Sequence, residues 1–331
     1  MKALIIGISG QDGAYLSQLL LNKGYDVFGG SRDPDNNSFE NLKRLHIRDR
    51  VNLKSVSVSD FRSVLQAIDD TKPDEIYNLG GQSSVGLSFE LPIETFESIA
   101  FGTLNILEAI RFLKKPIKFY NACSSECFGD LDGYAADEKS LFSPRSPYAV
   151  AKSAAYWQVN NYRDAYGIFA CSGILFNHES TLRPERFVTQ KVIRAAQRIA
   201  AGKQKRLELG NLKIRRDWGW APEYVDAMWR MLQQPKPDDY VIGTGESNTL
   251  QEFVKFSFEM VDLNWRDYVS INDSLFRPSD LKSSFCNPEK AFRQLNWKAR
   301  FKMKDVIKFM MSGMLNPENK SHLPPFNLTK K

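Results

Sequence analysis

The chain has 331 residues, 42% of them apolar and 12% aromatic, enough to bury a full core in one large domain or two closely joined ones. That composition excludes a disordered chain, and no run approaches the roughly 18 consecutive apolar residues of a membrane span, so the sequence reads as a soluble, cytoplasmic protein that makes no membrane contact. A formal charge of +6 suits a phosphate-bearing ligand, but the basic residues are spread along the chain without the stripe of a nucleic-acid groove.

Residues 3–6 form a short apolar run that ends in Gly7-Ile8-Ser9-Gly10-Gln11-Asp12-Gly13, followed by apolar residues at helical spacing over 14–21. This is a strand, a glycine turn and a helix. Gly7, Gly10 and Gly13 let the backbone turn tightly, approach a pyrophosphate and pack helix against strand, while the free N–H groups at the helix start face the anion. The second strand, 25–28, ends in Gly29-Gly30-Ser31-Arg32-Asp33. An arginine at that point accommodates a 2′-phosphate and an acid binds a 2′-hydroxyl; Arg32 comes first, which favours NADP, and Asp33 leaves NAD as the second choice.

Further strands are expected at 51–56, 75–79 and 117–122, with helical patterns at 59–67 and 94–112 between them. A helix from Tyr148 through Tyr166 and a strand over 168–175 complete the sheet. The alternation specifies an α/β fold with a doubly wound, Rossmann-like parallel sheet, and ligands at the carboxyl ends of its strands. Residues 1–176 read as the dinucleotide-binding domain, with later returns of the chain near 212–245. Residues 177–331, rich in Pro, Arg and Trp, read as a smaller, mixed α/β substrate-binding lobe, ending in a frayed tail over 327–331. Four cysteines, Cys123, Cys127, Cys171 and Cys286, lack metal-ligand spacing and read as reduced thiols, with no disulfide and no metal expected.

Tyr148 and Lys152 are four residues apart and therefore one helical turn from each other. An ammonium held there favours the phenolate, bringing a tyrosine whose ordinary pKa is about 10 toward neutral pH. Ser124 and Glu126, two apart after the fifth strand, point the same way while the backbone stays extended. Ser124 can hold a substrate oxygen while Tyr148 exchanges its proton, and the Glu126 carboxylate can remove a proton α to a ketone and help expel a β-hydroxyl. Taken singly, Glu126 also reads as a solvated strand-end carboxylate and Tyr148 as an aromatic covering the core; together with Ser124, Lys152 and the glycine turn they read as a site.

Eight runs carry a resemblance to one family: GISGQDGAYL from Gly7, YNLGGQSSVGLSFE from Tyr77, SSECFG from Ser124, PRSPYAVAK from Pro144, ILFNHES from Ile174, RFVTQK from Arg186, RRDWGWAPEYVDAMWRMLQQ from Arg215 and LFRP from Leu275. The chain resembles the GDP-mannose 4,6-dehydratase family of extended short-chain dehydrogenase/reductases, nearly end to end. The resemblance implies that Ser124, Glu126, Tyr148 and Lys152 are catalytic, and that GDP-mannose is oxidised at C4, loses water across C5 and C6 and receives hydride at C6, in deoxyhexose biosynthesis. It implies NADP held by Gly7, Gly10, Gln11, Asp12, Gly13, Arg32, Leu79, Tyr148, Lys152, Asn177 and His178. The substrate would meet Ser83, Ser84, Glu126, Asn177, Lys191, Arg216 and Arg277, with Gln82 near the cofactor–sugar junction. A homodimer or homotetramer is the implied assembly. A GDP-4-keto-sugar reductase or epimerase, or a non-catalytic dinucleotide sensor, could share the scaffold, but neither has need of Glu126 beside Ser124.

Four positions depart from the family pattern. Asp33 replaces a second arginine, Ser57 an aspartate that reaches the adenine, Phe128 a tyrosine, and Trp220 a histidine. Trp220 reads equally as a core aromatic or as a ligand contact.

Overall fold

A computed structural model of the chain describes residues 1–131 and 133–315; the tail over 327–331 lies outside them. Seven strands form one parallel sheet: β1 (Lys2–Ile6), β2 (Asp26–Ser31), β3 (Asn52–Ser55), β4 (Glu75–Asn78), β5 (Lys118–Ser124), β6 (Ala170–Leu175) and a last strand, Tyr240–Ile242. Their spatial order is Tyr240–Ile242, β6, β5, β4, β1, β2, β3. Along β1 the side chains alternate between the two faces, as a strand dictates. Ala3 and Ile5 join Val27, Tyr77 and Tyr120 beneath α1 (Gln11–Asn22) and the helix Ala221–Leu232. Leu4 and Ile6 join Ile76 and Phe119 beneath the helices Phe61–Thr71, Gly102–Leu113 and Pro147–Tyr166. A sheet buried on both faces needs apolar residues at both parities, which is why its strands read as continuous apolar runs. Each large side chain so buried contributes about 1.5–3 kcal/mol.

The sheet is not complete at residue 175. Tyr240–Ile242 adds a seventh strand beside β6, pairing Tyr240 with Gly173. Three residues are too few to show a strand period. What fixes the segment is the preceding acid, since Asp239 accepts from Arg163 at 2.8 Å and from the backbone N–H of Ser172 at 2.6 Å. The helical pattern over 94–112 is likewise not one helix. It runs as Pro92–Phe96, a wide π turn Glu97–Phe101, and Gly102–Leu113.

Beyond residue 177 the chain serves both bodies. The helix Ala221–Leu232 covers the sheet, with Trp297 and Ala299 in the same core. The helices Val188–Ala200, Leu250–Glu259 and Met303–Leu315 close a second core containing Trp218 and Trp220. Trp220 is 2% exposed and its ring lies 5.1 Å from that of Phe309, so of its two readings the core aromatic is the correct one. Phe128 is also buried, stacked on Phe176. Among the described residues no helix is long and apolar enough to cross a membrane.

The first glycine turn is the tightest joint in the fold. A Cβ on Gly13 would stand 2.5 Å from the carbonyl oxygen of Gly7 and 2.6 Å from the Cα of Ile8, against backbone that has no room to yield. Gly13→Ala is therefore expected to destabilise the protein by about 1–3 kcal/mol, read from the midpoint and slope of denaturant unfolding.

Candidate active site

β1 ends at Ile6 and the chain turns at Gly7, whose φ of +84° lies in the left-handed region and whose missing Cβ would meet the Leu79 carbonyl oxygen at 2.7 Å. The Gly10 N–H donates to the Gly7 carbonyl at 3.1 Å, and α1 starts at Gln11 with no side-chain cap. Its first N–H groups are thus left for a ligand. In front of this turn runs a groove of about 970 Å³, lined among others by Gly7, Gly10, Arg32, Leu79, Ser83 and Arg186. It lies between β1 and β4, where the strand order reverses and α/β sheets bind ligands.

These residues fit a dinucleotide: close backbone, free amides, and a cation at the far end. Arg32 has no ion-pair partner among the described residues. Asp33 also lines the groove, but its carboxylate is engaged locally, Oδ1 accepting the Asn36 backbone N–H at 3.1 Å and Oδ2 the Asn36 side-chain amide at 2.8 Å. Ser57, at the position of the family's adenine-contacting aspartate, has its Oγ 3.2 Å from that of Ser59, and Ser59 lines the groove.

The second cluster is built on the helix Pro147–Tyr166. Ser146 caps it by accepting the Ala149 N–H at 3.1 Å, and Pro147 occupies its first turn, a start favoured by the fixed φ of proline. Tyr148 and Lys152 then project together at the end of β5. Lys152 is 8% exposed, donates from Nζ to the Ala122 carbonyl at 2.6 Å, and sits 5.8 Å from the centre of the Tyr148 ring. Ser124 lies beside the Tyr148 phenol, where its hydroxyl favours the phenolate, and accepts the Glu126 N–H at 3.3 Å. Glu126 lies half-buried in the 3-10 turn Ser125–Phe128. Tyr148 packs against Ile99, next to the groove-lining Ser98, so the two clusters adjoin. Tyr148 and Lys152 share one helical face as their spacing implied, whereas Glu126 joins Ser124 from a 3-10 turn and not from the extended backbone expected.

The electrostatics differ from the sequence expectation. Burial pushes the Tyr148 phenol well above its ordinary 10; the Ser124 hydrogen bond opposes this, while Cys127, Cys123 and Glu126 add to it. Burial pushes the Lys152 ammonium down. The physical reason is burial, which penalises both charged forms, and the Lys152 Nζ is meanwhile engaged by the Ala122 carbonyl. Beneath the site, the free thiols of Cys123 and Cys127 lie 3.6 Å apart on either side of Ser124 and Glu126.

The remaining residues divide. Leu79 and Ser83 line the groove, whereas the Ser84 side chain caps a helix by accepting the Leu87 N–H at 3.3 Å, and its own N–H is held by Gln82. Asn177 is half-buried on the strand Asn177–Glu179, and His178 beside it is buried with Nε2 2.9 Å from Asp12 Oδ2. Lys191 donates to the Glu208 carbonyl at 2.9 Å. Arg216 is 4% exposed and is committed to the Leu281 carbonyl at 2.8 Å and Asp280 at 3.0 Å; Arg277 stands 3.6 Å from the same Asp280 oxygen. Sequence reasoning gave no role to Arg186, although it opens one of the motifs it noted, nor to Asn36, Asn37 and Ser98, which also line the groove. Nothing in the sequence marks Asp280 as the acid between two arginines.

Fold and site together define an enzyme of the extended short-chain dehydrogenase/reductase class, with the Tyr-Lys pair and a dinucleotide groove on one parallel sheet. Solved structures of that class share the fold. The dTDP-glucose 4,6-dehydratase of Bacillus anthracis in complex with NAD superposes with a TM-score of 0.83 at 16% identity, over 96% of this chain and 98% of that one. RMD of Pseudomonas aeruginosa complexed with NADPH superposes with a TM-score of 0.76 at 20% identity, over 94% of this chain and 99% of that one. In sequence, a family model described as GDP-mannose 4,6 dehydratase matches residues 4–310. The Arabidopsis thaliana protein GDP-mannose 4,6 dehydratase 2 is 46% identical over 319 residues, covering 93% of this chain and 85% of that protein. The chain belongs to the GDP-mannose 4,6-dehydratase family.

Proposed function

We propose that this protein is a hydro-lyase that converts GDP-mannose to GDP-4-keto-6-deoxymannose for deoxyhexose synthesis, using NADP that is regenerated in each turnover. The observation that carries the reading is the Glu126 carboxylate in one cluster with Ser124, Tyr148 and Lys152. A reductase or epimerase needs only the last three.

When bound, the nicotinamide supplies a hydride acceptor for C4 and a donor to C6, so the reaction has no net oxidation. The chain's residues manage the protons. Tyr148, as phenolate, takes the proton of the C4 hydroxyl while Ser124 Oγ holds that oxygen. The C4 ketone acidifies the C5 hydrogen; Glu126 removes it and delivers it to the departing C6 hydroxyl, which leaves as water. C5 regains a proton equivalent to the one held on Tyr148, and the balance closes. Lys152, turned from the Ala122 carbonyl toward the phenol, would supply the positive charge that makes the phenolate accessible. Gly7, Gly10, Gln11, Asp12 and Gly13 form the phosphate turn for the cofactor, with Leu79, Asn177 and His178 along its path. Ser83, Ser84, Asn177, Lys191 and Arg277 would surround the nucleotide sugar; Arg216, expected from sequence to join them, is instead committed to Asp280 and backbone carbonyls beside Arg277.

The preference for NADP over NAD rests on Arg32, which is free of carboxylates, while Asp33 is closed into a turn with Asn36. A guanidinium pairs strongly with a phosphate. The assembly we propose is a homodimer, the unit from which a homotetramer could also be built. Phe101 and Phe112, three turns apart, and Val150 and Trp157, two turns apart, leave apolar side chains exposed on neighbouring helices that pack against each other. A second copy of the same pair would cover them. A cytoplasmic location suits the four free, buried thiols.

Three measurements test these statements. Mass spectrometry of GDP-mannose incubated with the protein and catalytic NADP⁺ should show loss of one water; Glu126→Gln and Tyr148→Phe should each lower that rate by about 10²–10⁴-fold while still binding cofactor, and normal turnover in either would remove its assigned role. Arg32→Ser should weaken NADP⁺ more than NAD⁺ in calorimetric titrations; equal losses would show that Arg32 does not read the 2′-phosphate. Light scattering should give twice the chain mass, and Trp157→Glu should give monomers if the exposed stripe is the contact.

A further inference from the structure

Asp12 places a carboxylate in the first turn of α1, the turn whose N–H groups would face a pyrophosphate. A bare carboxylate there would repel a dianionic ligand. Asp12 is not bare: its Oδ2 is 2.9 Å from His178 Nε2, and His178 Nδ1 is 2.7 Å from the Phe176 carbonyl oxygen. A carbonyl can only accept, so Nδ1 carries a hydrogen, and Nε2 needs a second one to meet a carboxylate. Gln11 Nε2 donates to the other oxygen, Oδ1, at 3.0 Å, which favours Asp12 as the anion and so leaves the proton on the ring. The same Gln11 amide donates to the His178 carbonyl at 3.2 Å, and Ser180 Oγ donates to Gln11 Oε1 at 2.7 Å. The helix start and the strand Asn177–Glu179 are thereby fastened side chain to backbone.

We propose that Asp12 and His178 form a one-proton clamp: the imidazolium cancels the carboxylate at the phosphate turn and holds that turn against the strand bearing Asn177, so that dinucleotide binding retains this proton and weakens when His178 loses it. Both are positioning residues, and the inference rests on the reading that the groove takes a dinucleotide. The groups facing the ring are Asp12 from α1, Tyr224 from the helix Ala221–Leu232, stacked at 4.5 Å, and Arg183, which follows the strand Asn177–Glu179; Gly219, paired with His178 on the neighbouring strand, brings no charge. Burial and Arg183 push the imidazole down, and the charge and hydrogen bond of Asp12 outweigh them, holding it above its ordinary 6.5. The clamp is therefore complete below that ordinary value and lost as pH rises through the raised one.

The test is the calorimetric Kd of NADP⁺, and of NAD⁺, for the full chain from pH 7.5 to 9.5, a range in which the 2′-phosphate, with a second pKa of about 6, no longer titrates. The wild type should weaken by up to about tenfold per pH unit, the limit for one linked proton. Asp12→Asn, which keeps the shape and removes the charge, should show a shallower slope and bind more tightly than the wild type at pH 9.5. His178→Gln should also lose slope, and any slope shared by all three chains belongs to groups outside the clamp. An Asp12→Asn variant with the wild-type slope, or weaker than wild type at pH 9.5, would overturn the clamp. Should His178→Gln not fold, NMR titration of the wild type decides the matter. The chain has 3 histidines, and the His178 pKa should rise on adding NADP⁺; an unchanged value overturns the proposal. If the wild type binds neither dinucleotide at any pH, the cofactor reading itself has failed and the clamp falls with it.

Discussion

The arrangement depends on how closely the backbone of the first turn packs on its neighbours. Gly7 lies against the Leu79 carbonyl and Gly13 against the Gly7 carbonyl, at separations that leave no space for a methyl group. This contact fixes where α1 begins relative to β1 and β4. It therefore fixes where the unpaired N–H groups point, and where the groove runs along the carboxyl edge of the sheet. β5, one strand further on, sets the depth at which Ser124 appears, and the capped helix Pro147–Tyr166 lowers Tyr148 and Lys152 onto it. Each later element is positioned against a sheet whose register is already determined by the turn and the two faces of apolar side chains.

The cluster we propose as catalytic carries opposed charge demands. A buried lysine prefers to be neutral and a buried tyrosine prefers to be protonated, and each would relieve the other only if the ammonium were aimed at the phenol oxygen. In this geometry Lys152 satisfies itself at Ala122, and the phenol is left as the acid form. That form can give a proton and cannot take one. For the phenolate we propose to form, the lysine charge would have to turn from Ala122 toward the phenol, on a backbone held by a capped helix.

Much of this was legible in the sequence because strands and helices that are buried on specific faces must show it in their periodicity, and because the Tyr-Lys spacing places its own members on one helical face. The strand run before β6 and the glycine turn are local signals of that kind. Where the sequence was silent, the determining contact was distant in the chain. Tyr240–Ile242 is a strand because Asp239 is held by Arg163 and Ser172, not because of its own pattern. The break in the 94–112 helix is a hydrogen-bond register change that leaves the apolar spacing almost unaltered. The raised phenol pKa comes from the burial of Tyr148, which no residue spacing encodes.

The same reasoning separates the two arginines of the outer lobe. Arg216 is buried, and its guanidinium is matched to Asp280 and to two backbone carbonyls. Uncoupling a buried pair of this sort costs about 3–5 kcal/mol, more than a single partly solvated phosphate contact returns. Arg277, one-third exposed and 3.6 Å from Asp280, gives up little by turning away. Of the two, Arg277 is the one that suits the phosphate contact we propose, while Arg216 holds Asp280 in place beside it. Asp12 answers to the same constraint at the other end of the ligand path: a site that binds dianions can keep a carboxylate only where a cation is committed to it.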